Sequence, residues 1–401
     1  MSLISVEDAV ARMLAGVTHL GEESVPLREA RGRVLARDLA AKRDQPPFRA
    51  SAMDGYAVRA EDTPAGAWLH QIGEARAGSH FSGTLRPGET VRIFTGAPVP
   101  DGADAILIQE NARADGERIE VLEPVAAGRH IRAAAVDFRE GETLLQAGRR
   151  IGTRETALAA AMNHGVVPVR QRPIVAVLST GDELVEPGED PGPDQIVSSN
   201  GVAIASMVAA CGGVARDLGV AVDDKQAIAD AAAGAEDADI LVVIGGASVG
   251  DHDLVQPALS EKGLKVDFWR VAMRPGKPVM FGTLGRTCVL GLPGNPVSAL
   301  ICALVFLKPL IAAMQGAEGA EPTRLLPLAA DLPEVGNRQQ YLRARFVEWQ
   351  GRTAVTVADD QDSSLLATLA RSDALIIRPP FASAAPAGDV VSVIDLAQAL
   401  S

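Results

Sequence analysis

The sequence contains few aromatic residues and few cysteines. Phe, Trp and Tyr make up 3% of the 401 residues, whereas hydrophobic residues as a whole make up 47%. The hydrophobic cores must therefore be built mainly from Ala, Val, Leu and Ile. The three cysteines, Cys211, Cys288 and Cys302, lie in apolar surroundings without the short spacing of a metal site. We interpret them as core thiols of a protein from a reducing compartment.

An excess of basic residues is also lacking. The net charge of −13 excludes general nucleic-acid binding, which requires a basic surface, although a local cluster of Arg and Lys can still bind an anionic small ligand. The N-terminus is unlike a signal peptide because it carries acids, and it predicts a helix capped by Ser5 with Asp8 three residues on. The apolar run Ala299 to Leu310 is too short to span a bilayer. The sequence thus predicts a soluble, cytoplasmic protein without a membrane partner.

Several familiar catalytic motifs are missing. There is no Ser-His-Asp order, no HExxH among the six histidines, and no Gly-Lys-Ser/Thr to complete a Walker A loop. His252 lies between two aspartates, but an exposed loop histidine is the better interpretation than a metal ligand. Transition-metal binding by the protein is therefore not expected. Magnesium held by carboxylates and a substrate phosphate is the metal that these residues suit.

The chain divides into regions of different pattern. A length of 401 residues exceeds one ordinary core, so about two to four domains are expected. Residues 1–170 predict helices near 6–14, 25–40 and 153–164 around a β-rich insert at about 46–140. Residues 171–317 alternate buried strands with helices, which is typical of a doubly wound α/β domain. After a linker at 316–322, residues 322–401 predict a small β-barrel or sandwich.

Loops of the middle region follow predicted strands, where a doubly wound sheet binds its ligands. In the first, Ser179, Thr180 and Gly181 offer hydroxyl and backbone donors to a phosphate, and Asp182 and Glu183 add carboxylates. For this loop alone, an ordinary polar turn is the better interpretation.

The second loop, residues 245–253, is rich in groups that suit a ligand. Gly245, Gly246, Ser248 and Gly250 permit close backbone approach to a phosphate, and Asp253 adds an acid. A flexible loop without function is the alternative.

The third loop, Pro293-Gly294-Asn295-Pro296, is a turn between two prolines. Asn295 suits a helix N-cap and Pro296 the first helical position, while Pro293 makes the approach rigid. The helix would then direct its positive end and free amides at an anion, with the hydroxyl of Ser298 in its first turn. A well-made helix start is the alternative, but the second proline favours a turn held still for an anion.

Further candidate groups lie outside these loops. Arg270, Arg274 and Lys277 form a basic cluster, for which an anion clamp is favoured over a solvated hairpin tip. In the insert, Asp54 precedes a glycine among small and apolar residues, and each of Thr95 and Asp137 is an equally isolated polar candidate.

Taken in order, seven segments resemble the MoeA family of molybdopterin molybdenumtransferases, which is also seen as the E domain of gephyrin. The segments are SAMDGYAV, FTGAPVP, STGDEL, SSNG, GGASVGDHD, RPGKP and GLPGNPVSA. The resemblance runs from residue 1 to the end, and the middle-domain loops are shared with the related adenylyltransferases.

The resemblance implies both a fold and a reaction. The fold would be a central doubly wound molybdopterin-binding α/β domain, an elongated N-terminal region with a β insert, and a C-terminal β-barrel. The reaction would insert molybdate into adenylylated molybdopterin, with magnesium, releasing AMP and molybdenum cofactor. The resemblance also implies a homodimer with each site between the middle domain of one subunit and the insert of the other. Its other partners would be the pathway's adenylyltransferase and the acceptor molybdoenzymes or their chaperones.

The same motifs carry site residues over to this chain. Glu183 and Asp253 would bind magnesium, and with Asp54 and Asp137 they would form the catalytic acids. Beside the loop residues named above, the substrate contacts implied by the family are Thr95, Asp223, Arg270, Arg274, Lys277, Pro278, Pro293, Pro296, Ser298, Arg343 and Ser363. The family often has Lys where this chain has Arg270 and Arg274, so charge is kept but a role as a deprotonated amine is not. Ala247 replaces a more usual Val or Thr.

Two other functions remain open from the sequence. One is an adenylyltransferase of the same fold that acts on molybdopterin. The other is a scaffold that binds pterin or a partner protein without catalysis.

Overall fold

The computed structural model describes residues 3–246, 254–317 and 323–399. The N-terminal region outside the insert contains α1 and α2 together with four strands and their short pairings. Its elements are α1 (Val6–Ala15), β1 (Glu22–Pro26), β2 (Leu39–Ala40), β11 (Thr143–Leu145), α2 (Thr153–Ala161) and β12 (Val166–Arg170), with β3 to β10 in the insert between them.

The first helix packs on the middle domain. Ser5 caps it as predicted, since the amide of Asp8 donates to the Ser5 hydroxyl at 2.9 Å. Its buried residues Val6, Ala9 and Met13 join the core of the middle domain, and Arg12 donates to an Asp267 carboxylate oxygen at 2.5 Å. The start of the chain is therefore fastened to a domain that lies about 170 residues further along the sequence.

The prediction of a helix at residues 25–40 is wrong. This segment instead continues from β1 through a single 3-10 turn, Leu27–Glu29, to β2. β1 pairs antiparallel with β12, and Leu35 bridges to Val169. The apolar residues that suggested a helical face are buried in one small core, but their backbone groups are satisfied by pairing with distant strands. Pairing with distant strands overrode local helix preference here.

The insert is a β domain around a six-stranded sheet of order β7-β4-β6-β5-β9-β8. The β-rich character predicted for residues of about 46–140 is confirmed by strands β3 to β10. The strands of the insert are β3 (Ala50–Ser51), β4 (Gly55–Val58), β5 (Trp68–Ala75), β6 (Glu89–Ile93), β7 (Ala105–Ile108), β8 (Ala112–Asp115), β9 (Arg118–Val121) and β10 (Ile131–Arg132).

The middle domain has the predicted doubly wound architecture. Its sheet has the order β16-β13-β17-β21-β20-β18, with parallel pairing from β16 to β21 and antiparallel pairing beyond. Apolar cores cover both faces of the sheet. The elements are β13 (Ile174–Thr180), β14 (Leu184–Val185), β15 (Ile196–Val197), α3 (Asn200–Ala210), β16 (Val214–Ala221), α4 (Lys225–Ala232), β17 (Ile240–Ile244), α5 (Val255–Glu261), β18 (Lys265–Trp269), β19 (Met273–Arg274), β20 (Met280–Leu284), β21 (Thr287–Leu292), α6 (Pro296–Cys302) and α7 (Lys308–Met314).

The helix after β21 is longer than the sequence suggested. A π-helical turn, Ala303–Leu307, joins α6 to α7 and accommodates Pro309, so one helix runs from Pro296 to Met314. This longer helix contains the run Ala299 to Leu310, which alone is too short to span a bilayer. Its 19 residues have a mean hydropathy of 2.3 and could cross a membrane by length and composition alone, but 67% of the apolar window is buried inside the protein.

The C-terminal domain is a small barrel. Its sheet has the order β19-β23-β25-β26-β22, and β24 pairs with β23. Leu328, just after β22, bridges to Val355 of β24 and so closes the barrel. Tyr341, Leu375 and Ile394 share one continuous core with the middle domain. The elements are β22 (Thr323–Pro327), β23 (Gln339–Trp349), β24 (Arg352–Val357), α8 (Leu366–Ala370), β25 (Ala374–Arg378), β26 (Val390–Asp395) and α9 (Leu396–Ala399).

Candidate active site

A cavity of about 570 Å³ opens at the carboxyl ends of β13, β17 and β21. This is the edge at which doubly wound sheets bind ligands, because the loops after adjacent parallel strands diverge there. The cavity gathers most of the loop residues singled out in the sequence. Those that line it are Ser179, Thr180, Gly181, Glu183, Asp223, Gly245, Gly246, Pro278, Pro293, Gly294, Asn295 and Pro296.

A buried polar group at this cavity lacks a partner among the described residues. Thr180 is only 5% exposed, and no described residue hydrogen-bonds to its hydroxyl. Gly245 follows the neighbouring strand with a φ of +94°, and a Cβ built on it would lie 2.6 Å from the carbonyl oxygen of Thr180. Only glycine fits here without strain, so backbone and hydroxyl groups meet in a cradle that a phosphate or similar anion can enter.

The turn before α6 is held from both sides. The side-chain amide of Asn200 donates to the Gly294 carbonyl at 2.6 Å. From the C-terminal domain, Ser363 accepts the Asn295 side-chain amide on its hydroxyl at 2.9 Å and the Val297 backbone amide on its carbonyl at 3.1 Å. The Asn295 side chain therefore does not cap the helix, and the Val297 amide is already paired. The rigid turn serves the contact between two domains as well as the cavity.

The basic cluster lies on the loop that follows β18. The backbone closes on itself, since the Val271 amide donates to the Lys277 carbonyl and the Arg270 amide donates to the Val279 carbonyl, both at 3.0 Å. Arg274 and Lys277 are exposed, and Arg270 is half-buried with a φ of +85°. Among the described residues, no ion pair within 4 Å involves any of these three cations. They thus carry positive charge next to Pro278, which lines the cavity.

Carboxylates on the cavity wall suit a hard cation. Glu183 and Asp223 both line the cavity, and carboxylate oxygens are the ligands that Mg²⁺ prefers. The unpaired hydroxyl of Thr180 adds a further oxygen nearby. The described residues contain no cluster of three or more His, Cys, Asp or Glu that could hold a metal unaided. The donor set fits magnesium that completes its coordination with substrate phosphate and water.

The insert holds a second group of predicted residues. The backbone amide and the hydroxyl of Thr95 both donate to Asp54 Oδ1 at 2.8 Å. These two bonds, aided by the charge of Arg92, lower the pKa of Asp54. Asp137 is exposed, and its backbone amide donates to the Gln45 carbonyl at 3.0 Å. In the described parts of the chain, no hydrogen bond or ion pair links residues 48–132 to residues 171–317.

Arg343 differs most from the role that the resemblance implies. It is only 1% exposed, and it donates to the Leu365 carbonyl at 3.1 Å, while Nη2 has no partner in the described parts of the chain. Burial lowers the pKa of this guanidinium. Its backbone also exchanges two 2.9 Å hydrogen bonds with the side chain of Gln361. Arg343 therefore supports the loop that carries Ser363 rather than facing the cavity.

The remaining predicted residues lie as follows. Ser298 is buried in the first turn of α6, whereas Ser248, Gly250 and Asp253 lie outside the described residues. Sequence reasoning assigned no role to Asn200 or Ser364, which both line the cavity. The motif SSNG at the start of α3 was a signal for Asn200. Ser364 comes from a distant domain, and only its neighbour Ser363 had been singled out.

The structure is a doubly wound α/β domain, with a polar cavity at its strand ends, joined to a β insert and a β-barrel. Sequence profiles of three families match the chain in order. They are described as MoeA N-terminal region (domain I and II) at residues 4–163, Probable molybdopterin binding domain at 176–313, and MoeA C-terminal region (domain IV) at 326–396.

Individual relatives span nearly the whole chain. A molybdopterin molybdenumtransferase of Nostoc sp. is 36% identical over 93% of this chain and 88% of its own length. The protein of that name from Haemophilus influenzae is 31% identical over 98% of both chains. The crystal structure of the molybdopterin biosynthesis moeA protein from Pyrococcus horikoshii OT3 superposes with a TM-score of 0.85 at 29% identity, covering 98% of this chain and all of the other. The chain belongs to the MoeA family.

Proposed function

We propose that this chain is a molybdopterin molybdenumtransferase, which inserts molybdate into adenylylated molybdopterin and releases AMP. The observation that carries the proposal is the cavity, where glycine backbone, an unpaired hydroxyl, two carboxylates and adjacent cations converge at the ends of three strands. The substrate carries a pyrophosphate and molybdate is a dianion, so both need donors and positive charge. The full-length relatives that bear this name support the same activity.

Each anion has its own set of groups in this proposal. Arg274 and Lys277 hold molybdate together with Ser298, because two cations and a hydroxyl complement a tetrahedral dianion. The Gly246 amide and the Thr180 hydroxyl donate to phosphate oxygens of the pterin substrate, whereas the Gly245 amide already donates to the Leu292 carbonyl at 3.0 Å. The Val297 amide takes no part, since Ser363 occupies it.

The acidic residues have two roles in this proposal. Those of the middle domain hold magnesium, and Asp54 of the insert orients water or substrate. Glu183 would hold magnesium beside the phosphates, with Asp223 and, as the family implies, Asp253. When bound, magnesium would neutralise the charge that develops on the phosphoanhydride. Asp54 stays ionised because Thr95 stabilises its charged form, so it can orient water or the pterin side of the substrate. Hydrolysis of the anhydride is coupled to insertion of the metal into the dithiolene.

The separation of the two clusters supports a homodimer. Asp54 and Thr95 lie in a domain with no hydrogen bond or ion pair to the middle domain in the described parts of the chain. We therefore propose that the insert of one subunit completes the cavity of the other, as the resemblance implies. The three free thiols are consistent with a cytoplasmic enzyme.

A single-turnover assay tests the activity. Purified protein, adenylylated molybdopterin, magnesium and molybdate or tungstate are mixed, and AMP and pterin-bound metal are quantified together. We expect AMP release to depend on molybdate, and the amount of AMP to equal the amount of metal inserted into the pterin. Consumption of ATP on free molybdopterin would instead identify an adenylyltransferase. Tight pterin binding without AMP release would identify a scaffold.

A further inference from the structure

The turn that carries Asp54 is held on both sides by hydrogen bonds from Arg92 and Gln109, which lie outside the sequence motifs quoted above. Asp54 itself is followed by Gly55, whose carbonyl accepts a hydrogen bond from Arg92 Nη1 at 3.1 Å. On the other side, the carbonyl of Asp54 accepts the backbone amide of Gln109 at 3.1 Å. Arg92 Nη2 then donates to Oε1 of the same Gln109 at 2.9 Å. One guanidinium thus ties together the two flanks of the turn.

Arg92 is itself held in place by aromatic rings. Its guanidinium carbon lies 4.9 Å from the ring centre of Tyr56 and 5.0 Å from that of Phe94. Tyr56 is directly opposite Arg92 in the pairing of β4 with β6. In a chain with only 3% aromatic residues, two rings on one arginine is a concentrated use of them. Stacking fixes the plane of the guanidinium and therefore the direction of its donors.

The same strand continues to the residue that binds the carboxylate. Phe94 is followed by Thr95, whose amide and hydroxyl both donate to Asp54 Oδ1. No residue that the structure describes makes such a bond to Oδ2, which leaves that oxygen for a substrate or water. Arg92 makes no hydrogen bond to the carboxylate among the described contacts, so apart from its charge it acts on Asp54 through the backbone on either side.

We propose that Arg92, acting through Gly55 and Gln109, is the positioning residue that fixes the Asp54 carboxylate for the reaction. The inference rests on the proposed function, in which Asp54 faces the substrate. Loss of a group that orients a reacting side chain commonly costs on the order of 10- to 100-fold in rate. The alternative is that Arg92 only covers the sheet, as a stacked arginine can.

Two variants and one matched control separate these possibilities. Arg92→Met keeps the apolar stem over Tyr56 and Phe94 but removes all donors. Arg92→Lys keeps the charge but cannot bridge Gly55 and Gln109. The control is Arg118→Met, because Arg118 stacks on Trp68 at 4.7 Å in the same insert sheet but belongs to the opposite side of the sheet order.

The kinetic readout is turnover of the full-length protein in the AMP-release assay. We expect kcat of Arg92→Met to fall about 10- to 100-fold with KM within about twofold, and Arg92→Lys to recover only part of it. In an Asp54→Asn background, adding Arg92→Met should cause no further loss, since the two residues act as one unit. Equal losses in both backgrounds, or a loss shared by Arg118→Met, would overturn the proposal.

A second readout does not depend on activity. Hydrogen exchange of the Gln109 and Thr95 amides, which both bind Asp54, should accelerate in Arg92→Met and stay unchanged in Arg118→Met. Unchanged exchange in Arg92→Met overturns the positioning role whatever the enzyme does. If the wild-type protein releases no AMP, the proposed function fails, and accelerated exchange would still support Arg92 as the group that holds the Asp54 turn.

Discussion

At the scale of single residues, Asp54 shows how two ordinary donors prepare a carboxylate. The bonds from Thr95 lower the pKa of Asp54, so the carboxylate remains ionised to a lower pH than a free aspartate. A lowered pKa in the folded state contributes stability above the unfolded pKa, and this contribution is lost as the pH falls through the folded value. Any activity that requires the ionised form should be lost in the same direction.

Thr95→Val should therefore change the pH dependence of the enzyme. The substitution removes the hydroxyl donor but keeps the backbone amide, so the pKa of Asp54 should rise part of the way to its ordinary value. We expect the acid limb of the kcat–pH profile to move to higher pH, with the rate at neutral pH changed much less. The profile of AMP release measures this. Thr84→Val, an exposed threonine of the same insert, is the control and should leave the limb in place.

Gly245→Ala should weaken ligand binding in the cavity as well as strain the backbone. Its Cβ would lie 2.6 Å from the Thr180 carbonyl at a φ of +94°, so we expect a destabilisation of about 1–3 kcal/mol and weaker pterin binding. Gly285→Ala is a matched control, since Gly285 has a φ of +62° with nothing within 4 Å of a built Cβ. Urea unfolding and calorimetric binding measure both variants. Equal effects on binding in the two variants would argue against contact with the ligand at Gly245.

At the scale of elements, the loop that carries Ser363 is a structural part of the helix start. Hydrogen bonds of Arg343 and Gln361 hold this loop in place. Ser363 in turn pairs with Asn295 and Val297. The rigid turn and the helix that follows it could be predicted from the local preferences of the residues there. What Asn295 binds could not be predicted, because Ser363 lies 68 residues further along the chain. The predicted helix at 25–40 was wrong for a similar reason, since its pairing partner begins only at Val166.

The Asn295–Ser363 contact predicts an energetic coupling between the two domains. Asn295→Ala and Ser363→Ala should each destabilise the protein, and the double variant should be less destabilised than the sum of the two. The coupling expected for one side-chain hydrogen bond is about 0.5–1.5 kcal/mol. Urea unfolding of the four proteins in the cycle measures it. Additive losses would show that the two side chains do not stabilise each other in solution.

At the scale of the whole molecule, the chain consists of a joined body and a separate insert. The first helix, the middle sheet and the barrel share one core, which explains why the domain order could be predicted but the docking of residues 4–15 could not. That docking depends on apolar faces meeting across about 250 residues of sequence, as Arg12 and Asp267 illustrate. The insert instead has its own small cores. In the proposed homodimer, its polar cluster would reach the cavity of a second chain.

Complementation between two inactive variants tests this arrangement. Asp54→Asn removes the insert's carboxylate and Lys277→Ala removes a cation beside the cavity, so each homodimer should be folded but nearly inactive. When the two are co-expressed with different tags and purified as a heterodimer, one site contains both alterations and the other contains neither. We expect about half of the wild-type rate of AMP release per dimer. A heterodimer of Lys277→Ala with Arg274→Ala, which alters every cavity, should stay inactive. If Asp54 and Lys277 met within one chain, the mixed dimer would be as inactive as its parents, because neither subunit would hold an intact site.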